Sequence, residues 1–282
     1  SGHEGTARAY ASSLRSMQRY LGKKDFPFIK LSSRIISDYQ GKLLASGICD
    51  NTIGFYLHNI KALFRKGCRE MGLELPCPFR DISIKTKKTL KRSLDPVVIK
   101  TLSAIELEKD SPLSLARDIF MFSFYTRGMS FVDIALLKKR HVFPGEICYR
   151  RHKTDQLMRV GINKEISRIL ERYKNVPGEY IFPLFPAERD PYAGYRNAYH
   201  RIRYSLGKIS RVIGLEFPLR LHAARHSWAT IAKVNGASVH VIGECLGHTS
   251  EKTTRIYLKE LDHSALDAVN NQVADFILAV DD

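Results

Sequence analysis

From residue 5 to about residue 80 the apolar positions recur at helical spacing. Tyr10, Leu14, Met17 and Leu21 fall three and four residues apart, as one face of an amphipathic helix requires. Ile35, Ile36, Tyr39, Leu43 and Leu44 repeat the pattern behind Ser32 and Ser33, whose hydroxyls suit an N-cap. A third helix opens at Asp50 or Asn51 and turns Ile53, Tyr56, Leu57, Ile60, Leu63 and Phe64 inward. Between Pro76 and Leu94 the periodicity stops and the chain becomes basic, with Lys85, Lys87, Lys88, Lys91 and Arg92. Helices resume at about Asp95 with Val97, Val98, Ile99 and Leu102, and a longer apolar helix runs from about Leu113 through Phe124. One segment breaks the helical pattern. Residues 145–162 alternate as a β-hairpin does, with a polar turn near Thr154-Asp155-Gln156. Residues 177–191 are loop-rich, and the remainder is helical again.

This pattern predicts a mainly α protein in two parts. A small helical domain spans residues 1–80, a basic linker 81–94, and a mixed, mostly helical domain with a small antiparallel sheet 95–282. No internal repeat or low-complexity tract is present.

Charge narrows the partner. The 282 residues carry 45 Lys and Arg against 29 Asp and Glu, a net charge of +16 and a pI near 9.7. That excess suggests a polyanion, nucleic acid above all, because each cation laid on a phosphate releases condensed counterion. The third helix carries Lys61, Arg65, Lys66 and Arg69, nearly all of one sign. Thr52, Tyr56, Lys61 and Arg65 are its candidate DNA contacts, with Lys87 and Lys88 of the linker on the phosphate backbone. Arg196, Arg201, Arg203, Lys208 and Arg211 suggest a second basic face. The five cysteines are scattered without C-x-x-C spacing, which fits a reducing cytosol and neither a disulfide framework nor a zinc ribbon. No apolar run approaches the roughly 20 residues of a membrane helix, so no membrane partner is expected. The first residues, Ser1-Gly2-His3, lack the features of a signal peptide and an initiator Met. More sequence upstream in the natural protein is therefore expected.

The chain lacks G-x-x-x-x-G-K-[ST], H-E-x-x-H and G-x-S-x-G. Its candidate chemistry lies late. His222 and Arg225 stand three apart, so on a helix they share a face and can meet one phosphate. Leu246-Gly247-His248-Thr249 follows, and Tyr257 comes nine residues after His248.

In this order and spacing the sequence resembles the tyrosine recombinase (phage integrase) family over most of its length. The matching residues are Arg127 in Tyr125-Thr126-Arg127-Gly128-Met129, Lys153 in His152-Lys153-Thr154, His222 and Arg225, His248, and Tyr257. The wording around Arg127 resembles integrases of mobile elements in Bacteroides-type bacteria. One departure stands out. Family members commonly carry an acid three residues after the first Arg, whereas here Asp133 comes six after Arg127 and three after Ser130. If Asp133 is that supporting acid, Arg127 reaches the phosphate from one helical turn earlier.

The resemblance implies an integrase-like fold with a core-binding and a catalytic domain, and a bacterial, cytoplasmic enzyme using neither metal nor cofactor nor ATP. Tyr257 attacks the scissile phosphate of double-stranded DNA and forms a 3′-phosphotyrosyl link. Arg127 and Arg225 hold the non-bridging oxygens through guanidinium forks. His222 takes the tyrosine proton, His248 donates to a phosphoryl oxygen, and Lys153 protonates the leaving 5′-oxygen. The partners so implied are attachment-site DNA, a tetramer of the chain on two duplexes, and DNA-bending accessory proteins, serving integration or excision of a mobile element. The apolar stripe after Tyr257 (Leu261 to Leu278) either caps its own core or docks on a neighbouring protomer. Two other readings fit the same residues: a type IB topoisomerase, and a DNA-binding accessory protein with a silent site. The tail and the surroundings of Arg127 favour recombination over the first. The filled set of Lys153, His222, Arg225, His248 and Tyr257 argues against the second.

Overall fold

The computed structural model describes residues 4–23, 25–85, 87, 93–185, 191–248 and 250–258, with the side chains of residues 4, 191–193, 256 and 257 outside that description. Lys88 and the tail from Leu261 to Leu278 also lie outside it. The chain divides into two compact units, Ser1–Leu90 and Lys91–Asp282.

In the first unit, α1 (Glu4–Leu21), α2 (Ser33–Ala45) and α3 (Asp50–Glu70) follow one another. Ser32 is the N-cap of α2, its hydroxyl accepting from Ile35 N. The core joins Met17 of α1, Ile36 and Tyr39 of α2, and Ile53, Leu57, Ile60 and Phe64 of α3, with Phe79. The inner face of α1 differs from the one its apolar residues suggest. Leu14 is exposed, and Ser13 and Ser16 are buried in its stead. Their hydroxyls are matched: Tyr39 donates to Ser16 at 2.8 Å and Asn59 Nδ2 to Ser13 at 3.0 Å. Satisfied buried hydroxyls cost little, so two small serines can stand where larger apolar groups are expected.

Part of the basic stretch is tied to this unit. Asn51 clamps the backbone of Lys87, accepting from its N at 2.7 Å and donating to its O at 3.0 Å. The Lys87 ammonium meets Asp50 at 2.9 Å.

The second unit contains α4 (Pro96–Ala104), α5 (Pro112–Tyr125), α6 (Phe131–Ala135), β1 (Val142–Phe143), β2 (Glu146–Arg150), β3 (Leu157–Gly161), α7 (Lys164–Arg172), α8 (Pro191–Val212), α9 (Leu221–Val234), α10 (Val239–Leu246) and α11 (Glu251–Tyr257). Helix α5 is largely buried, which is why most of its sequence is apolar: Ala116, Ile119, Phe120, Met121 and Phe122 are all buried. Its one buried acid, Asp118, accepts from Arg117 Nε (2.8 Å), Arg172 Nη1 (2.7 Å) and the Tyr173 hydroxyl (2.9 Å).

The three strands form an antiparallel meander in the order β1-β2-β3. Ile147 pairs with Val160 and Tyr149 with Met158, so the four buried residues share the face turned to the core. The expected hairpin is β2 and β3, joined by residues 151–156. The short strand β1 ahead of it carried too few residues to read from alternation.

Candidate functional site

Two consecutive left-handed residues close α5. Arg127 has φ +59° and Gly128 φ +74°. The second must be glycine, because a Cβ there would lie 2.5 Å from Arg225 Cγ and 2.8 Å from Arg225 Cα on α9. The chain then enters α6 through Ser130, the N-cap, whose hydroxyl also donates to Asp133 Oδ2 at 2.5 Å. Buried Asp133 accepts in addition from His152 N at 2.8 Å. Its carboxylate thus joins the turn carrying Arg127 to the loop carrying Lys153. Asp133 is a brace between two cationic loops, and Ser130 is spent on that brace.

Arg225 is the centre of the site. It is 5% exposed, with Nη1 donating to Gly128 O at 2.8 Å. Nη2 donates to Leu246 O and lies 3.0 Å from His248 Nε2. His222, one turn earlier on α9, is exposed and meets His226 edge-to-face at 4.7 Å. With Arg225, Gly128 and Ser130 it lines a cavity of about 220 Å³. The shared face expected of His222 and Arg225 is therefore present, one group at the mouth and one at depth.

His248 follows Gly247, which caps α10 in the left-handed conformation at φ +64°. Its Nδ1 lies 3.0 Å from Thr254 Oγ1 on α11. Burial, then the fields of Arg225, Arg151 and Lys153, lower its pKa to about 4, so the ring is neutral at neutral pH. A guanidinium only donates, so Nε2 must be the acceptor and Nδ1 the protonated nitrogen. The hydrogen bond of His248 to a phosphoryl oxygen, which the family resemblance implies, needs Nε2–H. In this state Nε2 presents a lone pair to Arg225.

Arg127 and Lys153 sit around this centre. Arg127 Nη1 reaches Arg159 O at 3.4 Å, beside the sheet. Burial, then Asp133, push the Tyr149 phenol above its ordinary range, while Arg151, Arg225 and Arg127 pull it down. One buried ring therefore has three guanidiniums within electrostatic reach. Lys153 is exposed in the hairpin loop, near enough for its charge to act on His248. The backbone of Tyr257 ends α11, and its side chain lies outside the described residues.

Three residues of this arrangement escaped the sequence reading. Arg151, two residues before Lys153, donates to Gly247 O and so fastens the hairpin to the His248 loop. Gly128 and Thr254 are the others. Only the Arg-Gly pair after an apolar helix hinted at a tight left-handed turn.

The candidate DNA contacts on α3 do not form one face. A regular helix turns about 100° per residue, so the nine-residue step from Thr52 to Lys61 ends about 180° away. Thr52 and Tyr56 flank one side of the buried stripe, and Lys61 and Arg65 the other. Of the second basic face, Arg201 is spent on Leu184 O at 2.8 Å, whereas Arg203 and Arg211 line an open groove with His200 and Arg220. Among the described residues, no group of three His, Cys, Asp or Glu side chains is placed to hold a metal ion, and no helix is long and apolar enough to cross a membrane.

Comparison with known proteins follows the same division of the chain. Residues 93–263 match the phage integrase family and residues 1–81 the phage integrase SAM-like domain. The tyrosine recombinase XerC of Shewanella oneidensis is 26% identical over 226 residues, 77% of this chain and 70% of its own. The tyrosine recombinase XerD of Pseudomonas putida is 24% identical over 262 residues, 90% and 86% of the two chains. The fold resembles that of lambda integrase residues 75–356, solved as a dimer bound to a COC′ core site. The TM-score is 0.68 at 18% identity, covering 92% of this chain and 91% of that one. The Tn1549 transposon integrase in complex with transposon right end DNA gives a TM-score of 0.67 at 15% identity, over 95% and 99%.

Proposed function

Since the chain belongs to the phage integrase family and is a tyrosine-type, site-specific DNA recombinase, we propose that Tyr257 is its nucleophile and that Arg225, Arg127, His222, His248 and Lys153 serve the phosphate around it. The observation that carries this assignment is the buried Arg225 guanidinium, held against His248 and opening with His222 into one cavity. A cation fixed in advance costs no reorganisation when charge develops on the phosphoryl oxygens.

The chemistry is an in-line displacement. The Tyr257 oxygen forms a bond to phosphorus, the bond from phosphorus to the 5′-oxygen breaks, and that oxygen leaves with a proton from Lys153. An unperturbed phenol has a pKa of about 10, so its proton passes to His222 as attack proceeds. The bond energy is retained in the 3′-phosphotyrosyl link, and a 5′-hydroxyl from a partner duplex reverses the step without ATP or metal. Arg127 closes on the phosphate from the left-handed turn beside Gly128, which brings it to the sheet side of Arg225. The first unit's candidates for DNA contact are Lys87 and Lys88 with either Thr52 and Tyr56 or Lys61 and Arg65, the two pairs standing on opposite sides of α3. The partners are attachment-site duplexes, further copies of the chain in a tetramer, and DNA-bending proteins, in the integration or excision of a mobile element.

The test is a nicked suicide duplex carrying the attachment site, incubated with the protein without divalent metal. A covalent protein–DNA band from the wild type and none from Tyr257→Phe is the expected result. No wild-type band, or equal bands, overturns the assignment. Joining to a second duplex rather than relaxation of supercoils separates strand exchange from topoisomerase action.

A further inference from the structure

Thr254 lies on α11 one helical turn before Tyr257, and it is fully buried. A buried threonine hydroxyl needs a partner, and this one is 3.0 Å from His248 Nδ1. Helix α10 makes room for it at Gly243, where a Cβ would stand only 2.9 Å from Thr254 Oγ1. Any larger residue at 243 would push α11 away or turn the hydroxyl off the imidazole. Three elements therefore meet at one oxygen: α10 through Gly243, the loop behind it through His248, and α11 through Thr254 itself.

We propose that Thr254 is a positioning residue of the strand-transfer site, whose hydroxyl holds His248 through Nδ1 and so ties the helix carrying Tyr257 to the Arg225 guanidinium. The proposal rests on the reading of Tyr257 as nucleophile and adds a device to it. The choice of a hydroxyl matters. Arg225 can only donate, so Nε2 now accepts, Nδ1 bears the proton, and Thr254 accepts from it. When a phosphoryl oxygen takes the Nη2–H that now meets Nε2, the guanidinium staying in place, His248 can help by donating from Nε2. For a neutral ring this means that Nε2 takes a proton from solvent while Nδ1 gives its own up to solvent, and the Nδ1 lone pair then needs a donor. A hydroxyl serves either state by rotating its hydrogen; a carboxylate or a backbone carbonyl could serve only the first. Thr254 thus lets the imidazole change tautomer without moving, and the position of α11 is kept through the change.

Two readouts test this. In the DNA-free protein, the imidazole ¹⁵N spectrum is expected to show one His248 tautomer with a protected Nδ1–H. That signal should persist in Thr254→Ser and exchange away in Thr254→Val, which keeps the shape and loses the hydroxyl. On the suicide duplex, T254V is expected to bind DNA as the wild type does but to form the covalent adduct about 10²-fold more slowly, the scale of a small misplacement of reacting groups. T254S should recover to within about threefold. An Nε2–H tautomer in the DNA-free wild type overturns the proposal without any variant. So does a T254V that cleaves at the wild-type rate, or a T254S as slow as T254V. Failure of the nucleophile reading looks different: Tyr257→Phe still forms the adduct, while the Nδ1–H signal, read without DNA, is unaffected.

Discussion

Gly128→Ala is the sharpest test of how the site is packed. The added Cβ would stand 2.5, 2.7 and 2.8 Å from Arg225 Cγ, Cβ and Cα, and the Cα belongs to the backbone of α9, which cannot swing aside as a side-chain tip can. Residue 128 also has φ +74°, where an L side chain costs about 1–2 kcal/mol by its own backbone contacts. Overpacking against α9 adds about 1–3 kcal/mol. Together the loss is about 2–5 kcal/mol, or about 6–15 °C in melting temperature for a unit of this size. Gly145→Ala is the control. Its φ is +81° with nothing within 4 Å of the new Cβ, so it carries only the backbone cost. Scanning calorimetry of both variants separates the two contributions. Because Arg225 holds Gly128 O, adduct formation by G128A on the suicide duplex should fall further than the loss of folded protein explains. A G128A that melts with G145A and cleaves normally would refute the packing of Arg225 against this turn.

Two further outcomes follow from other parts of the second unit. Asp118→Ala strands three donors, two of them guanidiniums, around a buried position; the expected loss is about 3–5 kcal/mol, read by urea unfolding. His248 is held at a pKa of about 4 against about 6.5 in an unfolded chain. As pH falls, the unfolded state takes up this proton first, so the stability contributed by the neutral ring is complete above about pH 6.5. It is lost as pH falls toward 4. His248→Gln should flatten the melting temperature against pH in that window, and the wild-type ring should show no NMR titration above about pH 5.

Period and spacing in the sequence made several features readable because they are local. Helix faces such as Ile53, Leu57, Ile60 and Phe64 repeat every turn, and the alternation at Ile147, Tyr149, Met158 and Val160 marks one face of a hairpin. The motif residues His222, Arg225 and His248 keep fixed distances along the chain, and the excess of cations follows from composition alone. Other features depended on elements far apart in sequence meeting in space. Ser13 and Ser16 do not belong to the apolar period of α1; their burial depends on the hydrogen bonds of Tyr39 and Asn59 from other helices. The roles of Asp133 and Ser130 could not be told from their spacing to Arg127, because Asp133 is committed to the His152 backbone 19 residues away. The tautomer of His248 rests on Arg225 and Thr254 at once, and neither side chain's direction is written in its neighbours. Residue types and local periods limited which groups could do chemistry on a phosphate. Only the close approach of α5, α9, α10 and α11 decided which of them hold one another, since hydrogen bonds and steric exclusion act over ångströms of space and are blind to distance along the chain.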